Sequence, residues 1–162
     1  MADFIHLTNK TEYSLSEGAL PITRIAELCQ SFSMPAVGIS DNNNMFGALE
    51  FSEQIAKVGV QPILGCNIKI KTPKEYLHEN IEDNDLYFYL NIFSKSSEGY
   101  ENLLKCISNA YTLNKGKAYV TVDDLIKFKE GLIILSGGNN SILIHSTGHM
   151  ITKQSKQFIS DF

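Results

Sequence analysis

The 162-residue chain has no tryptophan, only four prolines and only three cysteines. The cysteines, Cys29, Cys66 and Cys106, are odd in number and far apart. That excludes a closed disulfide framework and matches no zinc-ligand spacing, so a reducing compartment is the simple reading. Long apolar runs are missing too. Nothing approaches the roughly 18–20 residues of a membrane helix, and no basic start precedes an apolar segment. A cytoplasmic protein without a membrane partner is expected. Basic clusters are also absent: the 14 Lys and Arg are scattered, and the net charge is −4. Gripping DNA by its phosphates needs a clustered basic face. Any link to DNA is therefore expected to be indirect.

What is present is ordinary globular material, 43% apolar and 20% charged, enough for one domain with a core. Phe4-Ile5-His6-Leu7 is a short strand candidate. From Pro21, the residues Ile22, Ile25, Ala26, Cys29 and Phe32 fall at helical spacing and form one stripe. A strand over 36–40 follows Pro35. Ala48, Phe51, Ile55 and Val58 make a second stripe, which Gly59 closes as a left-handed stop. Val60 to Ile70 is a strand region in which Ile68 and Ile70 alternate with Lys69 and Lys71. Residues 72–85 are polar and acidic, a surface excursion. Leu86 to Phe93 is a strand, and "EGYENLLKCISNAY" is a helix with Leu103, Leu104, Ile107 and Tyr111 inward. Thr121 and Asp124 have capping-box spacing, and Leu132 to Leu135 is an apolar strand.

Strands alternating with helices predict an α/β fold with a mainly parallel sheet. Functional loops in such folds follow the carboxyl ends of strands. Asp41, Asn67 and the turn Ser136-Gly137-Gly138 are all near such ends, so one pocket joining them is expected. The last stretch, "TKQSKQFISDF", starts a new amphipathic pattern and stops without a cap, as a chain cut within a domain would.

Several motifs fail on chemistry. Asp41-Asn42-Asn43-Asn44 invites a calcium-loop reading, but the required sixth-position glycine and twelfth-position acid are Phe46 and Ser52. The plainer reading is an asparagine-rich turn that caps the next helix. His6, His78, His145 and His149 do not form a zinc pattern; no Glu follows His145 as HExxH needs. Cys66 has no base partner in sequence and reads as a buried structural thiol. "SGGNN" lacks the glycine spacing and lysine of a P-loop. The residues alone yield a strand-end pocket without a convincing catalytic set.

Taken together, "FIHL", "TEYSLSEGA", "MPAVGISDNNNMFGALEF", "GVQPILGCNI", "YFYLNIFSKSSEGYENLLKCISNAY" and "EGLIILSGG" resemble the N-terminal region of bacterial DNA polymerase III alpha subunits. That region is a polymerase-and-histidinol-phosphatase (PHP) domain. The resemblance implies part of a distorted (βα)7 barrel over 1–162, with 140–162 beginning an incomplete C-terminal portion. The chain then looks like the first portion of the domain, as a truncated form or the product of a split or decayed gene.

The resemblance is most informative where its pattern breaks. The His-x-His pair of metal-binding members falls on Thr8 and Lys10, although His6 matches the histidine that precedes it. The strand-end Asp-His falls on Asp41 and Asn42, a Glu on Asn67, a strand-opening His on Tyr89, and a Cys on Gly138. Among these positions only Asp41 keeps a usual ligand. An ammonium about 4 Å from a cation costs several kcal/mol at intermediate dielectric, and amides are weak replacements for imidazole and carboxylate. A degenerate site with no metal and no catalytic residue in this chain is expected. Lys10 or the asparagines would fill the metal volume and pair with Asp41.

The implied parent is a DNA-directed DNA polymerase, a nucleotidyltransferase of DNA replication that uses Mg2+. Its PHP portion would be scaffold and a docking surface for the proofreading exonuclease subunit. The other reading is a small stand-alone PHP-type metal-dependent phosphoesterase.

Overall fold

The computed structural model describes residues 4–72, 87–114 and 118–135. Apart from Thr72, which is buried, the acidic excursion lies outside the described residues, as do Ser136-Gly137-Gly138, His78, His145, His149 and the 140–162 portion. Helix α1 is Ile22–Ser31, β1 Ala36–Asn42, α2 Ala48–Lys57 and β2 Gln61–Lys71. Strand β3 is Tyr87–Ser94, α3 Ser97–Thr112, α4 Val122–Lys127 and β4 Leu132–Leu135.

The four strands form one sheet in the order β1-β2-β3-β4. Only β1 and β2 are parallel; β2–β3 and β3–β4 are antiparallel. The expectation of a mainly parallel sheet is therefore corrected for the described strands. The reason was visible in the alternation of Ile68 and Ile70 with Lys69 and Lys71. Strands of an all-parallel sheet are covered on both faces and read as continuous apolar runs. Here β2 and β3 bury alternate residues, as antiparallel strands with one wet face do.

Cross-strand partners share a face of the sheet. One face carries Val37, Ile39, Ile68, Ile70, Phe88, Leu90 and Ile92, all buried. Helices α1 and α2 meet it around Ile22, Ile25, Phe51 and Ile55. Helices α3 and α4 meet it around Leu103, Cys106, Ala110 and Leu125. The opposite face is polar along its middle: Ser40, Asn42, Asn67, Lys69, Tyr89 and Asn91.

Helix stripes match expectation with local exceptions. Ile22, Ile25, Ala26 and Cys29 are buried, but Phe32 is 66% exposed because it lies just past the last turn. Leu104 and Tyr111 were expected inward and are exposed on α3, whose buried stripe runs through Asn102, Leu103, Cys106 and Ala110. Gly59 has φ +76° and no neighbour against its missing Cβ, consistent with the left-handed stop. The Thr121–Asp124 capping box is formed in both directions.

The segment Phe4–Leu7 is not a full strand. It touches β1 where Gly38 N donates to His6 O, and two residues past it Ser40 N donates to Asn9 O, both at 2.8 Å. Between them the Asn9 side-chain amide donates to Gly38 O at 2.9 Å, taking over a bond that a strand would make with its backbone.

Candidate functional site

The turn after β1 is built by hydrogen bonds to its own polar residues. Asp41 is 1% exposed. Its Oδ1 accepts from Thr11 N at 2.7 Å and from Ser14 Oγ at 2.5 Å, and its Oδ2 accepts from Thr11 Oγ1 at 2.7 Å. Ser14 Oγ also accepts from Asn42 N at 3.1 Å, and Thr11 Oγ1 accepts from Tyr13 N at 3.2 Å. Asp41 thus pins residues 11–14 to the end of β1. Its backbone oxygen receives the Cys66 thiol at 3.2 Å, and burial raises that thiol's pKa far above its ordinary value. Cys66 is a structural thiol here, as its lack of a base partner implied.

The three asparagines divide the work of the turn. Asn43 has φ 51°, a left-handed conformation that asparagine adopts more readily than most residues. Its N donates to Asn67 O at 2.9 Å, its Oδ1 accepts from Lys69 N at 2.8 Å, and its O accepts from Tyr111 OH at 3.0 Å. Asn44 donates to Tyr13 O and Asn42 O and accepts from Phe46 N at 3.2 Å. The expected helix cap is corrected. Gly47 occupies the N-cap of α2, with no side-chain cap bond, because Asn44, three residues earlier, is spent on its own turn.

Asn42 points to the other side. Glu17 accepts a hydrogen bond from Lys10, and Lys10 foremost, with the nearby Asn42 amide as a lesser cause, holds its carboxyl below the usual range. Glu17 also raises the Tyr89 phenol, after burial, which is the larger cause. Asn67 pairs with Asn42 on one side and Asn91 on the other, and its Oδ1 is buried without a hydrogen-bond partner. Ser40 Oγ donates to Asn91 Oδ1 at 2.6 Å.

Of the singled-out positions, Lys10, Asn42, Asn67 and Tyr89 are thus gathered on the polar face. Thr8 is exposed, Gly138 lies outside the described residues, and Asp41 belongs to the opposite face. The expected pairing of Lys10 with Asp41 is corrected: Lys10 binds Glu17, while Asp41 is saturated by Thr11 and Ser14. The expected single pocket does not join Asp41 to Asn67 either, because adjacent strand residues point to opposite faces. Sequence reasoning missed Glu17, Ser14 and Thr11. Glu17 lay in the quoted "TEYSLSEGA", and its distance of seven residues from Lys10 gave no helical or strand signal.

As a metal site the cluster is poor. It offers one carboxylate already bonded to an ammonium, amides and a phenol. Among the described residues no group of three His, Cys, Asp or Glu is placed to share an ion. The residues do not fit the metal cluster that the family resemblance implies.

The PHP domain profile matches residues 6–156. The chain belongs to the PHP domain family. It is 38% identical over 135 residues to DNA polymerase III subunit alpha of Rickettsia felis, covering 82% of this chain and 10% of that protein. The Haemophilus influenzae subunit is 32% identical over 136 residues, covering 83% and 11%, respectively. The Mycobacterium tuberculosis subunit is 31% identical over 150 residues, covering 84% and 13%. The chain therefore spans about a tenth of the length of the curated relatives it matches. Among solved structures, a candidate metal-dependent phosphoesterase from Bifidobacterium adolescentis superposes with TM-score 0.53 and 12% identity, covering 98% of this chain and 75% of that one. At that identity the likeness is one of fold. No helix among the described residues is long and apolar enough to cross a membrane.

Proposed function

We propose that this chain is the N-terminal PHP portion of a DNA polymerase III alpha-like replicative polymerase. It acts as scaffold, in the cytoplasm, and as a docking surface for the proofreading exonuclease subunit, with its own metal site lost. The observation that carries this reading is the similarity, along more than four-fifths of the chain, to polymerase subunits from several bacteria. The loss of metal is supported by the donor set on the polar face, where Lys10, Asn42, Asn67 and Tyr89 stand at positions that the resemblance assigns to ligands. Contact with DNA is indirect in this reading, since a chain with net charge −4 is poorly suited to grip phosphates. Nucleotide transfer with Mg2+ belongs to other parts of the parent polymerase.

Four measurements test it. Purified protein is expected to contain no stoichiometric zinc or manganese, and to hydrolyse no phosphomonoester with either metal added. Metal at one equivalent with phosphatase activity would favour a stand-alone phosphoesterase instead. The chain is expected to incorporate no labelled nucleotide on a primed template. It is expected to bind a purified proofreading exonuclease subunit in titration calorimetry, and no heat of binding would remove the docking role.

A further inference from the structure

The most exposed large apolar side chains among the described residues are Leu15, Phe46 and Leu49, at 86%, 76% and 71%. All three belong to segments that meet at Tyr13. Asn44 donates its side-chain amide to Tyr13 O at 3.1 Å and accepts from Phe46 N at 3.2 Å. Leu15 is two residues past Tyr13 and Phe46 two past Asn44, so this bond brings both segments to one place. The Tyr13 ring also lies against Gly47, where a Cβ would come within 2.7 Å of it. Its hydroxyl donates to Glu50 Oε2 at 3.0 Å. Leu49 lies between those two contacts, three residues past Phe46 and so its neighbour on the first turn of α2.

Leu15 is presented by a fixed turn. Ser14 Oγ is bonded to Asp41, Ser14 O accepts from Glu17 N at 3.0 Å and Gly18 N at 2.8 Å, and Ser16 has φ 68°, a region that non-glycine residues seldom occupy. A side chain held in this way loses little freedom when a partner binds it. Carboxylates border the apolar group: Glu12 and Glu50 on either side of Tyr13 contacts, and Glu53 one turn beyond Leu49. None of the three has an ion-pair partner among the described residues. An apolar centre inside a polar rim is the anatomy of a protein interface, and an acidic rim selects basic groups across it.

We propose that Leu15, Phe46 and Leu49 are anchors that dock a protein segment whose apolar side chains are flanked by Lys or Arg, and that this segment belongs to the proofreading exonuclease subunit. The inference rests on the docking role proposed above and assigns its surface.

The test is titration calorimetry of the 162-residue chain with purified exonuclease subunit, in low and high salt. Leu15→Ser and Phe46→Ser are each expected to raise Kd about tenfold, as loss of an anchor does. Phe32→Ser is the control: Phe32 is 66% exposed but precedes β1, at the end of the strand away from Asn42, and its loss should leave Kd unchanged. Glu53→Gln removes one rim charge and should weaken binding about threefold in low salt and not in high salt. Thermal unfolding and sedimentation of each protein accompany the titrations.

Weakened binding in Leu15→Ser and Phe46→Ser at unchanged Tm is the expected result. A wild type that binds, with both variants no weaker than Phe32→Ser, overturns the surface and leaves the docking role standing. No heat of binding by wild type overturns both. Salt-independent binding overturns the basic flanks. A dimeric wild type that Phe46→Ser returns to monomer would mean that a second copy covers the anchors, and the inference falls. It falls too if both serine variants lower Tm by about 5 °C or more, as loss of apolar cover within the chain itself would.

Discussion

Thr11 donates twice to Asp41, from its backbone N to Oδ1 and from its hydroxyl to Oδ2, each at 2.7 Å. The pair joins residues thirty positions apart in a site that is essentially dry. Removing one side of such a pair strands buried donors, each at about 1–3 kcal/mol. Asp41→Ala is therefore expected to cost about 3–4 kcal/mol, a sum of such losses reduced by relaxation. Asp41→Asn keeps an acceptor for Thr11 N and Ser14 and should cost about half as much. Urea denaturation of the two variants checks the order. Equal and small losses would mean that Asp41 does not organise the turn.

Asn43 supplies the second device at this strand end. Its left-handed φ of 51° and its Oδ1 bond from Lys69 N are separable by substitution. Asn43→Gly keeps the conformation and loses the bond, for an expected cost of about 1 kcal/mol. Asn43→Ala loses the bond and strains the backbone, for about 2–3 kcal/mol. Midpoints in urea should rank wild type, then glycine, then alanine. Alanine matching glycine would show that the left-handed backbone is not what selects asparagine here.

How far the sequence foretold this site depends on the kind of signal. Helix faces with a period near 3.6 and the capping box at Thr121 came through because each is a local pattern that local physics enforces. Phe32, Leu104 and Tyr111 broke the pattern because helix ends and stripe edges are decided by what packs there. The sheet direction departs from expectation because element order does not fix strand direction, whereas the alternation along β2 already marks a strand with one wet face. The polar clusters were legible only in part. Lys10, Asn42, Asn67 and Tyr89 were found by resemblance, whereas Thr11, Ser14 and Glu17 belong to an irregular turn, whose hydrogen bonds leave no periodic trace. Asp41 does not share a pocket with Asn67 because Asn67 lies opposite Asn42, and one residue in a strand reverses the direction of a side chain.

Acid titration should expose the Lys10–Glu17 pair. The Glu17 carboxyl is held below its ordinary range by Lys10 foremost, with the Asn42 amide as a lesser cause. A depressed carboxyl contributes stability that is fully present above its unfolded pKa and is lost as pH falls through the folded pKa. Glu17 is half exposed, so solvent screens the pair and the contribution is small. Wild type should lose slightly more stability than Glu17→Gln between neutral and acid pH, and the difference should shrink in high salt. Parallel pH profiles for the two proteins would show that the pair contributes nothing to folding.

The three thiols should be silent in the native state. Cys29, Cys66 and Cys106 are all buried. Burial, with Asp124 as a lesser cause, pushes the Cys106 thiol up to about 12. The thiolate is the reactive form, so a disulfide reagent at mildly alkaline pH should react fully in denaturant and only slowly without it. Native labelling is then limited by opening of the fold, and its rate should follow stability across the Asp41 variants. Fast reaction of one thiol in folded protein would reveal an opening near that cysteine that the burial of its side chain excludes.

Gly99 lets α3 approach the chain entering β4 closely. A Cβ at Gly99 would lie 1.9 Å from Gly131 O and 2.5 Å from its carbonyl carbon. That same oxygen accepts from Lys95 N at 2.8 Å, and Gly131 itself has φ +72°, so neither partner gives way without losing a bond or its turn. Ser96 completes the junction, with its hydroxyl accepting from Gly99 N at 3.1 Å as the cap of α3. Ser96→Ala removes that cap alone and should cost about 1 kcal/mol. Gly99→Ala must move the first turn of α3 away from Gly131, and should cost more, about 2–3 kcal/mol. The displacement has a distant readout, because the other end of α3 carries Tyr111, whose hydroxyl holds Asn43 O at 3.0 Å. Hydrogen exchange at the Lys95 amide is expected to accelerate in Gly99→Ala, and at the Lys69 amide, held by Asn43, if α3 moves as one body. Acceleration at Lys95 alone would place the adjustment within the first turn. An unchanged Lys95 amide, with Gly99→Ala no worse than Ser96→Ala, would mean that the contact yields without breaking the bond to Gly131.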